Sequence, residues 1–258
     1  MRVAEAGIDH YPRGAMNDAA LLHWIAERLI RTYGAPVVSL DDPVETLVLT
    51  ILSQNTTDAN RDRAFAALLE RFGTLRAVAA ATIAEIEPVI RPGGLQQQKA
   101  KSIHGALARI LDERGALDLS FLAGLSRNEA LAWLLDIPGV GPKTAGIVLL
   151  FAFGRPVFPA DTHVRRVMHR MGLVPARGDP HPRLNALLPP DAEFMQRLHL
   201  LAIRLGREIC HPRSPECPRC PLRSRCRWLG RDGSHAPNAV TSGPTKEASN
   251  HGSGNTRR

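Results

Sequence analysis

Apolar positions recur along most of this chain at intervals of three and four, the spacing of one helical face, and strand-like alternation is scarce. The segment DDPVETLVLTILSQ (41–54) predicts a helix with Asp42 as N-cap and Pro43 in the first helical position. TDANRDRAFAALLERFG (57–73) opens at a Thr/Asp cap and stops at Gly73. TIAEIEPVIR is a short helix capped by Thr82, and LQQQKAKSIHGALARILDERG runs from Leu95 to Gly115. SRNEALAWLLDI carries Ser126 as cap and Glu129 three residues on, a capping box. A tight turn from Pro138 to Pro142 leads into a helix through Phe153; another helix follows Asp161, and a last long one covers roughly 191–209. The fold class this pattern predicts is all-α.

The last stretch, RDGSHAPNAVTSGPTKEASNHGSGNTRR (231–258), holds no Leu, Ile or aromatic residue. It has too little apolar surface to offset its ordering entropy, so the expectation is a disordered tail. The N-terminal segment 1–17 has no apolar signal core, and no stretch approaches the ~20 apolar residues of a spanning helix. A cytoplasmic, nucleoid-associated protein away from membranes is expected. The 258 residues carry a net charge of +8, which favours a polyanionic partner, nucleic acid first.

Of the 33 basic residues only four are lysines, Lys99, Lys101, Lys143 and Lys246. Lys143 stands directly after Pro-Gly-Val-Gly-Pro. Gly139 and Gly141 permit unusual backbone angles, and the amides opening the following helix lack intrahelical partners. A turn of this kind, with Gly139, Val140, Gly141 and Thr144, suits a phosphate and grips a DNA backbone without reading sequence. For phosphate binding alone arginine serves as well, but its guanidinium does not deprotonate. A lysine near positive charge and partly desolvated has its pKa lowered, and its neutral amine can form a Schiff base with a sugar carbon. Eighteen residues on, Asp161 opens a helix in PADTHVRRV. It is either a plain N-cap or a carboxylate facing the lysine, able to stabilise a cationic sugar or to deprotonate the amine.

All four cysteines, Cys210, Cys217, Cys220 and Cys226, fall in one window with gaps of six, two and five residues. Clustering argues against a disulfide framework and for a metal or cluster site. One Cys-x-x-Cys pair flanked by longer gaps suits an iron–sulfur cube; zinc, with His211 as a further ligand, is the alternative. Between Arg204 and Arg227 seven arginines face two glutamates, a net +5 that reads as a DNA-backbone face.

These residues together resemble bacterial endonuclease III. LDIPGVGPKTAGIVLLFAFGRPVFPADTHVRRV and the C-x6-C-x2-C-x5-C tail carry the likeness. LSQNTTDANRDRA, GGLQQQKA and LAIRLGREICHPRSPEC extend it, in the same order, over about residues 20–228. The resemblance implies a two-domain helix-hairpin-helix DNA glycosylase fold with a cleft between the domains. A six-helix barrel would span 38–154, and a domain with a [4Fe-4S] cluster would comprise 18–37 and 155–230. It implies a base-excision DNA glycosylase with abasic-site lyase activity, acting as a monomer on damaged duplex DNA, with oxidised pyrimidines as the expected bases. By position, Lys143 matches the Schiff-base lysine and Asp161 the catalytic aspartate. Asn55 matches the residue that fills the gap left by the everted nucleotide, with its neighbour Gln54 as a rival. Leu95 matches the wedge into the opposite strand, and the four cysteines match the cluster ligands.

Gln96 departs from the pattern, standing where an aromatic residue is common. Thr50 stands where the adenine glycosylases of the superfamily need an acidic residue, which sets that reading aside. Two rivals stay open from sequence: a monofunctional uracil or T:G mismatch glycosylase in which Lys143 only binds phosphate, and a non-catalytic DNA-binding module.

Overall fold

The structure, a computed structural model, describes residues 16–229; the tail 231–258 and all but the last two residues of the segment 1–17 lie outside it. Eleven α-helices make up most of the described part: α1 Asp18–Tyr33, α2 Pro43–Leu52, α3 Asp58–Phe72, α4 Leu75–Ala80, α5 Ile83–Val89, α6 Gln96–Arg114, α7 Arg127–Leu135, α8 Pro142–Ile147, α9 Thr162–Arg170, α10 His181–Leu187 and α11 Ala192–Glu208. The all-α expectation holds, with no strand among the described residues.

The helix starts follow the polar caps in the sequence. Asp42 accepts from the amides of Val44 and Glu45 at 2.9 and 2.8 Å, which fixes where α2 begins. Thr82 with Glu85, and Ser126 with Glu129, form reciprocal capping boxes at α5 and α7. Asp161 caps α9 by accepting from the Val164 amide at 2.7 Å.

Two hydrophobic cores divide the chain. One gathers the inner faces of α2 to α8, including Leu47, Ile51, Leu68, Ile103, Leu107 and Leu149. The other joins α1 to α9, α10 and α11 through Leu22, Ile25, Phe158, Val164, Met168, Leu198 and Leu205. The chain crosses between them just after α8, where one π-helical turn, Val148–Ala152, sends Leu149 to the first core and its neighbour Leu150 to the second. A π turn leaves carbonyls outside the ordinary helical ladder. Gln196 of α11 donates to the Leu150 carbonyl at 2.8 Å inside the protein, and the Arg155 amide donates to that of Leu149 at 2.9 Å. Within the second core, α9 and α11 approach so closely that a Cβ on Gly206 would lie 2.8 Å from that of His163. This contact brings the start of α9 against the last turns of α11, beside the first core.

Candidate active site

The hairpin between α7 and α8 requires its first glycine. Gly139 has φ of 85°, and a Cβ there would come 2.8 Å from the Cβ of Ser102 on α6. Gly141 then caps α8 with extended backbone and no side-chain hydrogen bond, and Pro142 opens the helix. The side chains of Val140 and Thr144 are buried, so the turn's outward groups are main-chain.

At the start of α8, Lys143 reaches back to α2. Its Nζ donates to the Ser53 Oγ at 3.4 Å, and that hydroxyl donates to the Thr50 carbonyl at 2.7 Å. The Thr50 hydroxyl donates in turn to the Thr46 carbonyl at 2.6 Å. Burial pushes the Lys143 ammonium below its ordinary pKa. Asp161 opposes this, Arg61 adds to it, Asp58 opposes it and Arg207 adds again. Asp161 lines the same cleft from the N-cap of α9, so the lysine and the carboxylate expected as a pair do share one electrostatic environment.

The cleft encloses about 900 Å³ and is walled by both halves of the molecule. From the first come Thr46, Thr50, Ser53, Arg61 and Lys143; from the second come Asp161, His163, His199, Ile203 and Arg207. Nothing in the sequence marks His199 as a site residue. It is buried on α11, with Nδ1 at 3.1 Å from the Pro159 carbonyl and the rings of Phe151 and Phe158 at its edges. Burial pushes its pKa down to about 4, so it is neutral at working pH, while the charges of Asp161 and Lys143 act on it in opposite directions. Across the cleft mouth, Arg207 of α11 holds Asp58 of α3 with two bonds of 2.6 and 3.1 Å. That hydrogen-bonded guanidinium keeps the Asp58 carboxyl below the ordinary range.

The remaining predicted contacts lie on two loops. Asn55 and Leu95 are exposed, and both have positive φ, 51° and 47°, which is costly for residues with a Cβ. Gln54 is occupied differently: its amide donates to the Gly139 carbonyl at 3.3 Å and braces the hairpin.

After α11, the four cysteines form no disulfide, and Cys210, Cys220 and Cys226 pack against the second core. Burial pushes Cys220 up to about 11, and the charges of Cys210, Cys226 and Cys217 push the same way, so the four thiols lie within one another's field. Arg170 donates to the Cys210 Sγ at 3.1 Å and to the His211 and Pro212 carbonyls at 2.8 and 3.1 Å. His211 is engaged by Glu216 at 3.4 Å. Among the described residues no three His, Cys, Asp or Glu side chains converge as they do on a single ion. Four soft sulfur donors suit a core that takes up their charge, the donor set of an iron–sulfur cluster.

A family model described as HhH-GPD superfamily base excision DNA repair protein matches residues 48–188, the stretch from α2 through α10. That is the class which the fold and the cleft define. Endonuclease III of Thermotoga maritima is 35% identical over 194 residues, covering 74% of this chain and 86% of the relative. A structure of a trapped endonuclease III–DNA covalent intermediate superposes with a TM-score of 0.68 at 29% identity, covering 82% of this chain and 97% of that one. A thermostable thymine-DNA glycosylase, at 23% identity and a TM-score of 0.62, shares the fold over 80% of this chain and 93% of its own. The chain therefore belongs to the endonuclease III family of this superfamily.

Proposed function

We propose that the chain removes damaged bases from duplex DNA as a DNA glycosylase and cuts the resulting abasic site as a lyase. One observation carries the assignment of roles: the half-buried amine of Lys143, held below its ordinary pKa, shares the cleft with Asp161.

The target nucleotide must leave the stack, because its sugar carbon is unreachable inside a duplex. Asn55 enters the vacated space and Leu95 parts the opposite strand. Asn55 is favoured over Gln54 for this, since Gln54 is tied to the hairpin. The amides around Gly139 and Gly141 hold the phosphates. The Lys143 amine attacks C1′, the glycosidic bond breaks, and the base departs with that electron pair and a proton. The C1′–O4′ bond then breaks and a proton passes from the nitrogen to O4′, which opens the sugar to an imine. The imine acidifies the C2′ hydrogen; a base removes that proton, and the C3′–O bond breaks, which cleaves the strand on its 3′ side. Asp161 stabilises the positive charge that develops on the sugar and accepts a proton from the attacking amine. Thr46, Thr50, Ile147 and Phe151 form the wall toward which an everted base would point. Oxidised pyrimidines are the bases to test first.

Cys210, Cys217, Cys220 and Cys226 would hold a [4Fe-4S] cluster, which would fix the C-terminal turns and their arginines as a DNA-backbone face; no chemical step passes through it. The proposed domains are 38–154, and 18–37 with 155–230; the presence of two cores supports such a division, with Leu150 packed in the second core and Val157 in the first. Duplex DNA with damaged or abasic sites is the partner, bound by a monomer. No helix among the described residues is long and apolar enough to cross a membrane.

Borohydride reduction of a reaction on abasic duplex tests this reading. A covalent protein–DNA adduct is expected. Base excision without any adduct would mean that water, not Lys143, is the nucleophile.

A further inference from the structure

Lys99 is one of the four lysines of an arginine-rich chain, and it is 1% exposed in the middle of the first core. Burial works against its charge. Its Nζ donates instead to two main-chain carbonyls, that of Leu52 at 2.7 Å and that of Gly93 at 2.8 Å. Leu52 is the last residue of α2, and Gly93 ends the short 3-10 turn Arg91–Gly93. Both carbonyls lie where a helical ladder has run out of partners, and a cation is favoured there.

The two loops so joined are the ones that carry Asn55 and Leu95. Three residues after Leu52 stands Asn55, and two residues after Gly93 stands Leu95. These are two of the three non-glycine residues with positive φ among those described. The main-chain amide of residue 99 donates to the Leu95 carbonyl at 3.0 Å, the first helical bond of α6, so the lysine stem starts one turn from the wedge. Leu95 is 48% exposed, a large apolar side chain held toward solvent in a left-handed conformation. Such a conformation persists only where the surroundings over-determine it. On the other side, the residue after Leu52 is Ser53, whose hydroxyl receives Lys143. Gly93 itself is closely packed: a Cβ there would lie 3.3 Å from the Ala64 Cβ.

We propose that Lys99 is a positioning residue for nucleotide eversion: its ammonium locks the Asn55 loop to the Leu95 loop, so that the gap-filling and wedging side chains enter the duplex as one rigid unit. The inference rests on the proposed eversion of the target nucleotide. It concerns the opening of the duplex and leaves the chemistry at C1′ to Lys143.

The test compares cleavage of the same abasic site in duplex and in single-stranded DNA, since only the duplex has a stack to open. Parental enzyme must cleave and be trapped on both; if it is trapped on neither, the lyase reading itself fails. Lys99→Met keeps the apolar stem and removes the donors. A hydrogen bond to a charged group is worth about 1.5–3 kcal/mol, so duplex cleavage should fall about 10- to 100-fold while single-strand cleavage stays within about threefold. Equal losses on both substrates would overturn the proposal, because poor folding lowers both alike. Gly93→Ala shifts the same loop while keeping the lysine, and should show the same duplex-selective loss at smaller size. In a Leu95→Ala background, Lys99→Met should add less than about threefold further on the duplex, since the two act through one element. Full additivity would mean that Lys99 acts elsewhere.

Discussion

An amine must be neutral to attack carbon, and burial works against the charge of Lys143. Burial comes first; Arg61 and Arg207 act in the same direction, and Asp161 and Asp58 against it. Two opposite shifts are therefore predicted. Trapping at a preformed abasic site should rise with pH through the Lys143 pKa and level off below the ~10.4 of an ordinary lysine. Arg61→Gln removes a positive charge, so the rising limb should move to higher pH. Asp161→Asn removes a negative charge, so the limb should move lower, even though base excision slows. Shifts of the same sign in both variants would contradict the assignment. At this scale residue type in an arginine-rich chain singled out Lys143 and resemblance singled out Asp161, and both line one cleft. His199, Lys99 and Arg207 were not. Their partners are 40, 47 and 149 residues away, and nothing local marks a histidine, lysine or arginine as buried or bridging.

At the scale of elements, caps made helix starts readable. Asp42, Thr57, Thr82, Ser126 and Asp161 all cap the helices that their positions predict. The Ser126 capping box is exposed and does not line the cleft, so its effect should be on stability alone. Ser126→Ala should cost about 1 kcal/mol, or a melting shift of about 2–4 °C, with cleavage rates unchanged. Calorimetry alongside a cleavage assay checks this; a loss of activity without a melting shift would be inconsistent with it. Other elements gave less away. Helices α4 and α10 have 6 and 7 residues, too few for a periodic face to declare itself. The π turn after α8 looks in sequence like more apolar helix; it is fixed by Gln196, a contact 46 residues away. The left-handed angles at Asn55 and Leu95 have no glycine at either position to signal them.

The described part of the molecule is two cores with a charged cleft between them and an arginine-rich, cysteine-bearing segment after α11. The class was legible from motif order alone, since the hairpin, the cap of α9 and the cysteine window each carry their chemistry in short stretches. The relative placement of the two halves was not, because it depends on contacts between residues far apart in sequence, such as the Asp58–Arg207 pair. The cysteine-bearing end makes its own prediction. Purified protein should be yellow-brown with broad visible absorbance, and Cys217→Ser should lose colour and melt at lower temperature. Colourless protein with one zinc per chain would contradict the cluster.

The central claim is that Lys143 is a nucleophile and not a phosphate anchor, and replacement by the residue this chain otherwise prefers tests it most directly. Lys143→Arg keeps the positive charge, so abasic duplex should still bind within about tenfold, ~1.4 kcal/mol. Guanidinium stays protonated and cannot attack carbon. Strand cleavage and borohydride trapping should therefore fall by at least ~10³-fold, about 4 kcal/mol of barrier. If Lys143→Arg cuts abasic DNA at the parental rate, the amine is not the nucleophile and the lyase mechanism is wrong.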